Sequence, residues 1–421
     1  MEICARRLKN PSRLKILDIA AALPENSARL WRQPAGQNRM DSTLSTFATQ
    51  LRGLMGTADA GTRMASDLFF DDQARALFRL QFQTNSVLRR VCEARRISPA
   101  TLPHWSHVPA VPTTAFKEYE VTSLAPQQRT SVFFSSGTTA NHPSRHFHSA
   151  ESLAVYEASL LPWFQASVLR GWESRRTLPI LCLTPDARHA PHSSLAHMFT
   201  VLARELAPDT SQSPGPENAR HTVFTGENGA DGWILDFAAT RRWMEEAAAG
   251  SEPVLVLGTA FSFVQWMDHP GNAGRRFQLP PGSRVMETGG YKGRSREMSR
   301  AGLHALIGRE LGISPDNIFS EYGMSELSSQ AYPAPTSRDA AAGLVFRFPP
   351  WARSRIISPE TGLEVADGET GLIRVFDLAN VWSVMAVQTG DLGVRRGDGF
   401  ELLGRAALAE PRGCSLMAEG G

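Results

Sequence analysis

The stretch SVFFSSGTTANHPSRHFHS, residues 131–149, sets four hydroxyl side chains around one glycine. Val132, Phe133 and Phe134 read as a strand that breaks into Ser135-Ser136-Gly137-Thr138-Thr139. Such a loop presents backbone N–H and side-chain O–H donors, and Gly137 lets the backbone approach a polyanion closely. A triphosphate is the ligand these donors suit. The sequence holds no G-x-x-x-x-G-K-[ST], so this is not a Walker A loop. Ser/Thr/Gly runs also make plain turns, and company further along the chain decides between the two.

That company comes in three pieces. Residues 320–327 read SEYGMSEL, residues 388–393 read QTGDLG, and residues 403–405 read LGR. Taken singly, each has an ordinary structural explanation. Glu326 suits a helix N-terminus, Asp391 between glycine and leucine suits a turn, and Tyr322 suits a core. His146 and His148 alternate as strand residues do, which fits a structural role, with a phosphate or carboxylate contact as the alternative. Ser325 sits in G-M-S-E-L, which is not the G-x-S-x-G of a nucleophile elbow.

The elements that must position these residues alternate. Residues 41–96 carry helical periodicity, and Pro99, Pro103, Pro109 and Pro112 mark a loop-rich connection. Residues 151–168 read as an amphipathic helix. Strands are expected at 178–183, 254–257, 284–286 and 318–319, and helices at 259–267 and 295–311. Residues 210–218 read as a surface loop. Strands alternating with helices imply an α/β fold with layered sheets and helices. From about Gly343 short strands between glycine turns imply a small β-rich subdomain. The expected domains are a basic extension over 1–39, an α/β nucleotide- and acyl-binding domain over 40–342, the β-rich subdomain over 343–405, and a short mobile tail over 406–421.

The 421 residues are 42% hydrophobic and 20% charged, with a formal charge of +2. That balance argues against a nucleic-acid role, which needs a concentrated basic face. No run of 18 apolar residues marks a membrane span. Cys4, Cys92, Cys182 and Cys414 are widely separated, which fits a reducing cytoplasm better than a disulfide framework. Residues 1–39 hold eight Lys/Arg against three acids and lack the apolar core of a signal peptide. They read as a flexible extension or as residues ahead of a true start at Met40. A membrane-surface or partner helix is the alternative.

The ordered set of SSGTT, Y-G-x-S-E, T-G-D and G-R resembles the adenylate-forming superfamily from about Val111 onward. The resemblance implies that Ser135, Ser136, Gly137, Thr138 and Thr139 cradle the β- and γ-phosphates of ATP. It implies that Glu326 holds Mg²⁺, a hard ion that prefers carboxylate oxygen. Tyr322 would stack on adenine, Gly289, Gly290 and Tyr291 would border the base, and Asp391 would accept hydrogen bonds from both ribose hydroxyls. Arg405 falls where that superfamily places a hinge and a ribose contact.

Most such enzymes carry a further C-terminal domain with a catalytic lysine. Here sixteen residues follow Arg405, so the expected fold is the large domain and β-rich subdomain with the C-terminal domain truncated to a tail. The tail R-G-C-S-L (412–416), the entrance VPTTAFKEYEVT (111–122) and ETGGYKGR (287–294) resemble the LuxE-type acyl-protein synthetases of bacterial fatty acid reductase complexes. In that family a C-terminal cysteine accepts the acyl group, and Cys414 is the matching position. Lys117 and Lys292 are the candidates to replace the missing lysine.

The implied chemistry is coherent. A thiol cannot usefully attack a carboxylate, whose leaving group would be oxide. ATP converts the acid to acyl-AMP, and a thiolate then displaces AMP to form a thioester, with Arg412 near enough in sequence to favour the thiolate of Cys414. The expectation is an ATP- and Mg²⁺-dependent ligase that activates a fatty acid and delivers it to an acceptor protein such as an acyl reductase. The alternatives are an acyl- or aryl-CoA ligase and a non-catalytic nucleotide-binding subunit of a biosynthetic complex.

Overall fold

A computed structural model describes residues 37–57, 60–135, 142–172, 178–207, 222–229, 232–272, 274–289, 298–334 and 343–406. Ser136, Gly137, Thr138, Thr139, Gly290, Tyr291, Lys292 and Cys414, all singled out in the sequence, lie outside these residues, as does the expected loop at 210–218.

The chain begins its described course with helices Gln37–Met55, Ala60–Ala65, Asp67–Thr84 and Ser86–Ala94. Side-chain caps define their limits: Ser66 accepts from the amide of Phe69, and Asn85 from that of Leu88. The strands then follow in chain order: β1 (Val111–Pro112), β2 (Ser131–Phe134), β3 (Arg145–His148), β4 (Ile180–Cys182), β5 (Thr222–Phe224), β6 (Gly226–Gly229), β7 (Gly232–Leu235), β8 (Leu255–Thr259), β9 (Arg284–Thr288), β10 (Ile318–Glu321), β11 (Tyr332–Pro333), β12 (Val345–Arg347), β13 (Ala352–Ile357), β14 (Thr370–Asp377), β15 (Ala386–Arg396) and β16 (Gly399–Arg405).

Five of them make a parallel sheet in the order β10-β9-β8-β4-β5. Its strands β4, β8 and β9 are buried on both faces, as parallel strands covered by helices must be, while the edge strand β5 is half-buried. One face packs Leu181, Val256 and Val285 with Trp243, Phe263 and Leu303 from helices Phe237–Ala249, Ala260–Met267 and Arg300–Leu311. The other packs Cys182, Leu257 and Met286 with Leu160, Phe199 and Leu202 from helices Ala150–Ser167 and Ser194–Leu206.

A second sheet runs β11-β12-β16-β15-β14-β13, with β1 added in parallel on β15. It takes strands from residues 111 and 332 as well as from the stretch after 343. Its core is shared with the N-terminal helices, whose Phe70, Leu77 and Phe78 meet Ile373, Val375 and Phe376. Inside that seam Gln81 donates to the carbonyls of Asn380 and Val381 and accepts from the amide of Met385. No helix among the described residues is long and apolar enough to cross a membrane.

Candidate functional site

β2 and β3 form an antiparallel hairpin that carries the Ser/Thr/Gly loop between them. Its throat is closed by two residues. The amide of Ser144 donates to Ser135 Oγ at 3.0 Å, and the amide of Ser135 donates to the Ser144 carbonyl at 3.2 Å. The hydroxyl of Ser144 then points elsewhere: it donates to Glu326 Oε1 at 2.6 Å. Glu326 Oε2 accepts from Ser325 Oγ at 3.0 Å. Ser144 therefore joins the start of the loop to a carboxylate remote in sequence, and it is 1% exposed. A buried carboxylate oriented by two hydroxyls keeps lone pairs for a hard cation, so the donor chemistry fits Mg²⁺.

The segment bearing Glu326 is pinned from behind. Asp377, at the end of β14, accepts from the amides of Ser328 and Ser329 and from Ser329 Oγ. Asn380 donates to the Glu326 carbonyl at 3.0 Å and accepts from Ser328 Oγ. His146 Nδ1 donates to the Ser325 carbonyl at 2.7 Å. Burial pushes the His146 imidazole down to about 4, so the ring is a neutral strut. Phe116 meets the His146 ring at 6.2 Å, and its neighbour Lys117 is half-buried on the short helix Ala115–Glu118.

A second cluster forms around Asp391. Tyr322 donates its hydroxyl to Asp391 Oδ2 at 3.0 Å, and Arg405, directly opposite on β16, holds Nε 3.7 Å from Oδ1. The Arg405 side chain is 91% exposed, so this ion pair is worth little by itself. Burial holds the Asp391 carboxyl above its ordinary value, against the Tyr322 bond and the Arg405 charge. A register shift beside Leu392 and Gly393 bends the strand next to Asp391, the usual way a bulge re-aims a side chain. The Tyr322 ring is 6% exposed and packs edge-on to Phe400 at 5.2 Å, with Phe346 and Phe348 beyond. Gly289, directly after β9, has a φ of 74°, a conformation that favours glycine.

Of the residues singled out in the sequence, the fold brings Ser135 to Glu326 through Ser144, and Tyr322 to Asp391 and Arg405. The turn from Tyr322 to Glu326 links the two clusters. Ser144, His146, Asp377 and Asn380 were not assigned these positioning roles from the sequence. The signal available for the last two was a D-x-x-N pair at a strand end.

Two other clusters have less to offer. Ser320 donates to the Glu287 carboxylate, and both lie 3.2 Å from the same His304 nitrogen, Nε2. A serine whose proton is committed to the glutamate is not activated by the imidazole, so this is no hydrolase triad. A surface groove of about 640 Å³ lies beside Asp186, His189 and Asn228, where Asp186 is already bonded to Arg188 and His189. Cys92 and Cys182 are free, buried thiols. Burial pushes Cys92 up to about 12 and Cys182 well above the ordinary range, which makes both poor nucleophiles at neutral pH.

The sequence model of the LuxE acyl-protein synthetase family matches residues 65–420. The long-chain-fatty-acid–luciferin-component ligase of Aliivibrio fischeri is 21% identical over 359 residues, covering 82% of this chain and 86% of that protein. The Vibrio harveyi protein of the same name is 19% identical over 376 residues, covering 86% and 90%. Among solved structures, an open conformation of 2-hydroxyisobutyryl-CoA ligase aligns with a TM-score of 0.53 and 14% identity, over 80% of this chain and 75% of that one. The same ligase in its thioesterification state aligns with a TM-score of 0.52 and 14% identity, over 91% and 72%. The structural likeness establishes a mixed α/β fold of the adenylate-forming type.

Proposed function

The chain belongs to the LuxE acyl-protein synthetase family, and from that premise we propose the following reaction. A fatty acid carboxylate oxygen attacks the α-phosphorus of ATP and expels pyrophosphate, giving acyl-AMP. A cysteine thiolate then attacks the acyl carbonyl, AMP leaves, and the acyl group rests on the enzyme as a thioester before passing to an acceptor protein such as a reductase.

One observation carries this reading. Ser144 binds Glu326 with its hydroxyl and Ser135 with its backbone, so the polyanion loop and the cation-binding carboxylate are held as one unit. Ser135 through Thr139 are assigned to the β- and γ-phosphates, Asp391 to the ribose hydroxyls, and Tyr322, Gly289, Gly290 and Tyr291 to the base. Tyr322 also holds the Asp391 carboxylate through its hydroxyl. Arg405 steers the ribose and marks a hinge. Glu326 is the residue that would hold Mg²⁺, an ion that neutralises phosphate charge. Lys117, beside the Phe116–His146 contact, is assigned to the carboxylate and α-phosphate.

Cys414 is assigned as the acyl acceptor. The unreactive burial of Cys92 and Cys182 supports that choice, and a reducing cytoplasm suits a reactive thiol. The domain limits are those of the sequence reading, with the tail carrying Cys414 beyond the β-rich region.

The test is labelling with radioactive acid and ATP, read on a denaturing gel before and after hydroxylamine. Acid-dependent, hydroxylamine-labile label that disappears in Cys414→Ser is expected. Pyrophosphate release without protein label, with product only on adding coenzyme A, would overturn the acyl-protein reading.

A further inference from the structure

The parallel sheet ends in polar side chains on the face it presents to helices Ala150–Ser167 and Ser194–Leu206. Met286 and Phe319 pack on that face, so Thr288 and Glu321, two residues on, share it. They are cross-strand partners, and Thr288 donates its hydroxyl to Glu321. Glu321 is 9% exposed. Its carboxyl folds over Gly323, where a Cβ would collide with Oε1, and this sets it beside the turn that leads to Glu326.

Two further polar groups are buried and lack a hydrogen-bond partner among the described residues: the Tyr332 hydroxyl and His148 Nε2. Each side chain is 1% exposed. Tyr332 and Tyr156 lie in one core cluster, the charge of Glu321 is felt at both, and the His148 ring is 6.5 Å from that of Tyr156.

Their chemistry can be assigned. Ser152 donates its hydroxyl to the Ser149 carbonyl at 3.1 Å. The 3.2 Å contact between Ser152 Oγ and His148 Nδ1 then puts the histidine proton on Nδ1. Nε2 is left as an acceptor, while the Tyr332 hydroxyl is free to donate. Both groups are neutral, since burial holds His148 well below its ordinary value and Tyr332 well above.

The position follows from β3. Ser144 bonds Glu326 and His146 bonds the Ser325 carbonyl. His148 continues the same face, about 13 Å from Ser144 at ~3.3 Å per residue. The unmatched groups therefore lie inward from Glu326, in the direction of helices Ala150–Ser167 and Ser194–Leu206. A hydrocarbon chain leaves a buried donor and a buried acceptor unmatched, which is unfavourable. A hydroxyl group both donates and accepts.

Resting on the acid-activating reading above, we propose that the acid carries a hydroxyl along its chain, and that Tyr332, His148 and Glu321 receive it. The preferred substrate is a hydroxy fatty acid and not its unsubstituted parent. A site built to bond a substrate hydroxyl discriminates strongly against the analogue that lacks it.

The test measures ATP-dependent pyrophosphate release with the full chain, using fatty acids paired with their hydroxylated counterparts at successive chain positions. At least one hydroxy acid should exceed its parent about tenfold or more in kcat/KM. Tyr332→Phe, which deletes only an unmatched hydroxyl and leaves the ring to pack, should cut that preference about tenfold. Glu321→Gln should reduce it as well. Parents equal to their hydroxy acids in every pair, or a Tyr332→Phe ratio like that of the wild type, would overturn the proposal and leave the ligase reading standing. No pyrophosphate release with any acid would overturn both.

Discussion

Ser144→Ala isolates the contact on which the site depends. The backbone bonds between Ser144 and Ser135 do not involve the deleted hydroxyl, so the hairpin throat persists. Only the 2.6 Å bond to Glu326 Oε1 is lost, and Ser325 still holds Oε2. A hydrogen bond to a charged group is worth about 1.5–3 kcal/mol. If Glu326 must be oriented to act on Mg²⁺ and the phosphates, kcat/KM for ATP should fall about 10- to 100-fold, since ~1.4 kcal/mol is a factor of ten. The assay is acid-dependent pyrophosphate release across a matrix of ATP and Mg²⁺ concentrations. It is repeated for Glu326→Gln and the double variant. Because the two side chains touch, their effects should be markedly non-additive. A Ser144→Ala enzyme within about twofold of wild type in kcat/KM for ATP, or strictly additive losses, would refute the idea that Ser144 orients Glu326.

Four further outcomes are expected. Asp391→Asn and Tyr322→Phe should each raise the KM for ATP about fivefold or more, by removing the charge or the 3.0 Å bond that orients it; steady-state kinetics checks this. Burial pushes the Glu321 carboxyl up to about 7 from 4.5. The folded state therefore holds that proton more tightly than the unfolded chain, and stability falls as pH rises through this window. Glu321→Gln should remove that slope, seen as a smaller change in urea midpoint between about pH 5 and about pH 7.5 than the wild type shows. Alkylation of the native protein should spare Cys92 and Cys182, which should react only after unfolding, as peptide mapping would reveal. Gly323→Ala should lower thermal stability, because the new methyl meets the Glu321 carboxyl.

The sequence exposed the site better than it exposed the scaffold. Tyr322, Glu326, Asp391 and Arg405 were legible because each belongs to a short motif, and the fold does bring Tyr322, Asp391 and Arg405 together. Four of the five strands of the parallel sheet were legible as short apolar runs, although β9 and β10 extend to Thr288 and Glu321, beyond the purely apolar part; the edge strand β5 (Thr222–Phe224) was not, being three residues long and only half-buried. Ser144 was not legible, because a serine that bonds a residue 182 positions away leaves no local pattern. The same holds for β1, two residues long and recognisable as a strand only through its pairing with β15. Gln81 reads as a solvated helix residue, yet it is buried because the turn between β14 and β15 offers it donors and acceptors. Periodicity reports what a segment does with itself, and these residues are defined by what they do with others.

The Gln81 seam also dictates the order in which the molecule can be made. Its partner Met385 lies 304 residues downstream. At about 5–20 residues per second, a ribosome leaves the N-terminal helices waiting about 15–60 s for the sheet that covers them. Through that interval Phe70, Leu77 and Phe78, fully buried in the finished molecule, lack their partners Ile373, Val375 and Phe376 and form an adhesive surface on the nascent chain. A message cut short before β14 and β15 would yield a chaperone client or an aggregate and not a weak enzyme. Cellular yield should therefore depend on holdase capacity during translation more than on the final stability of the fold.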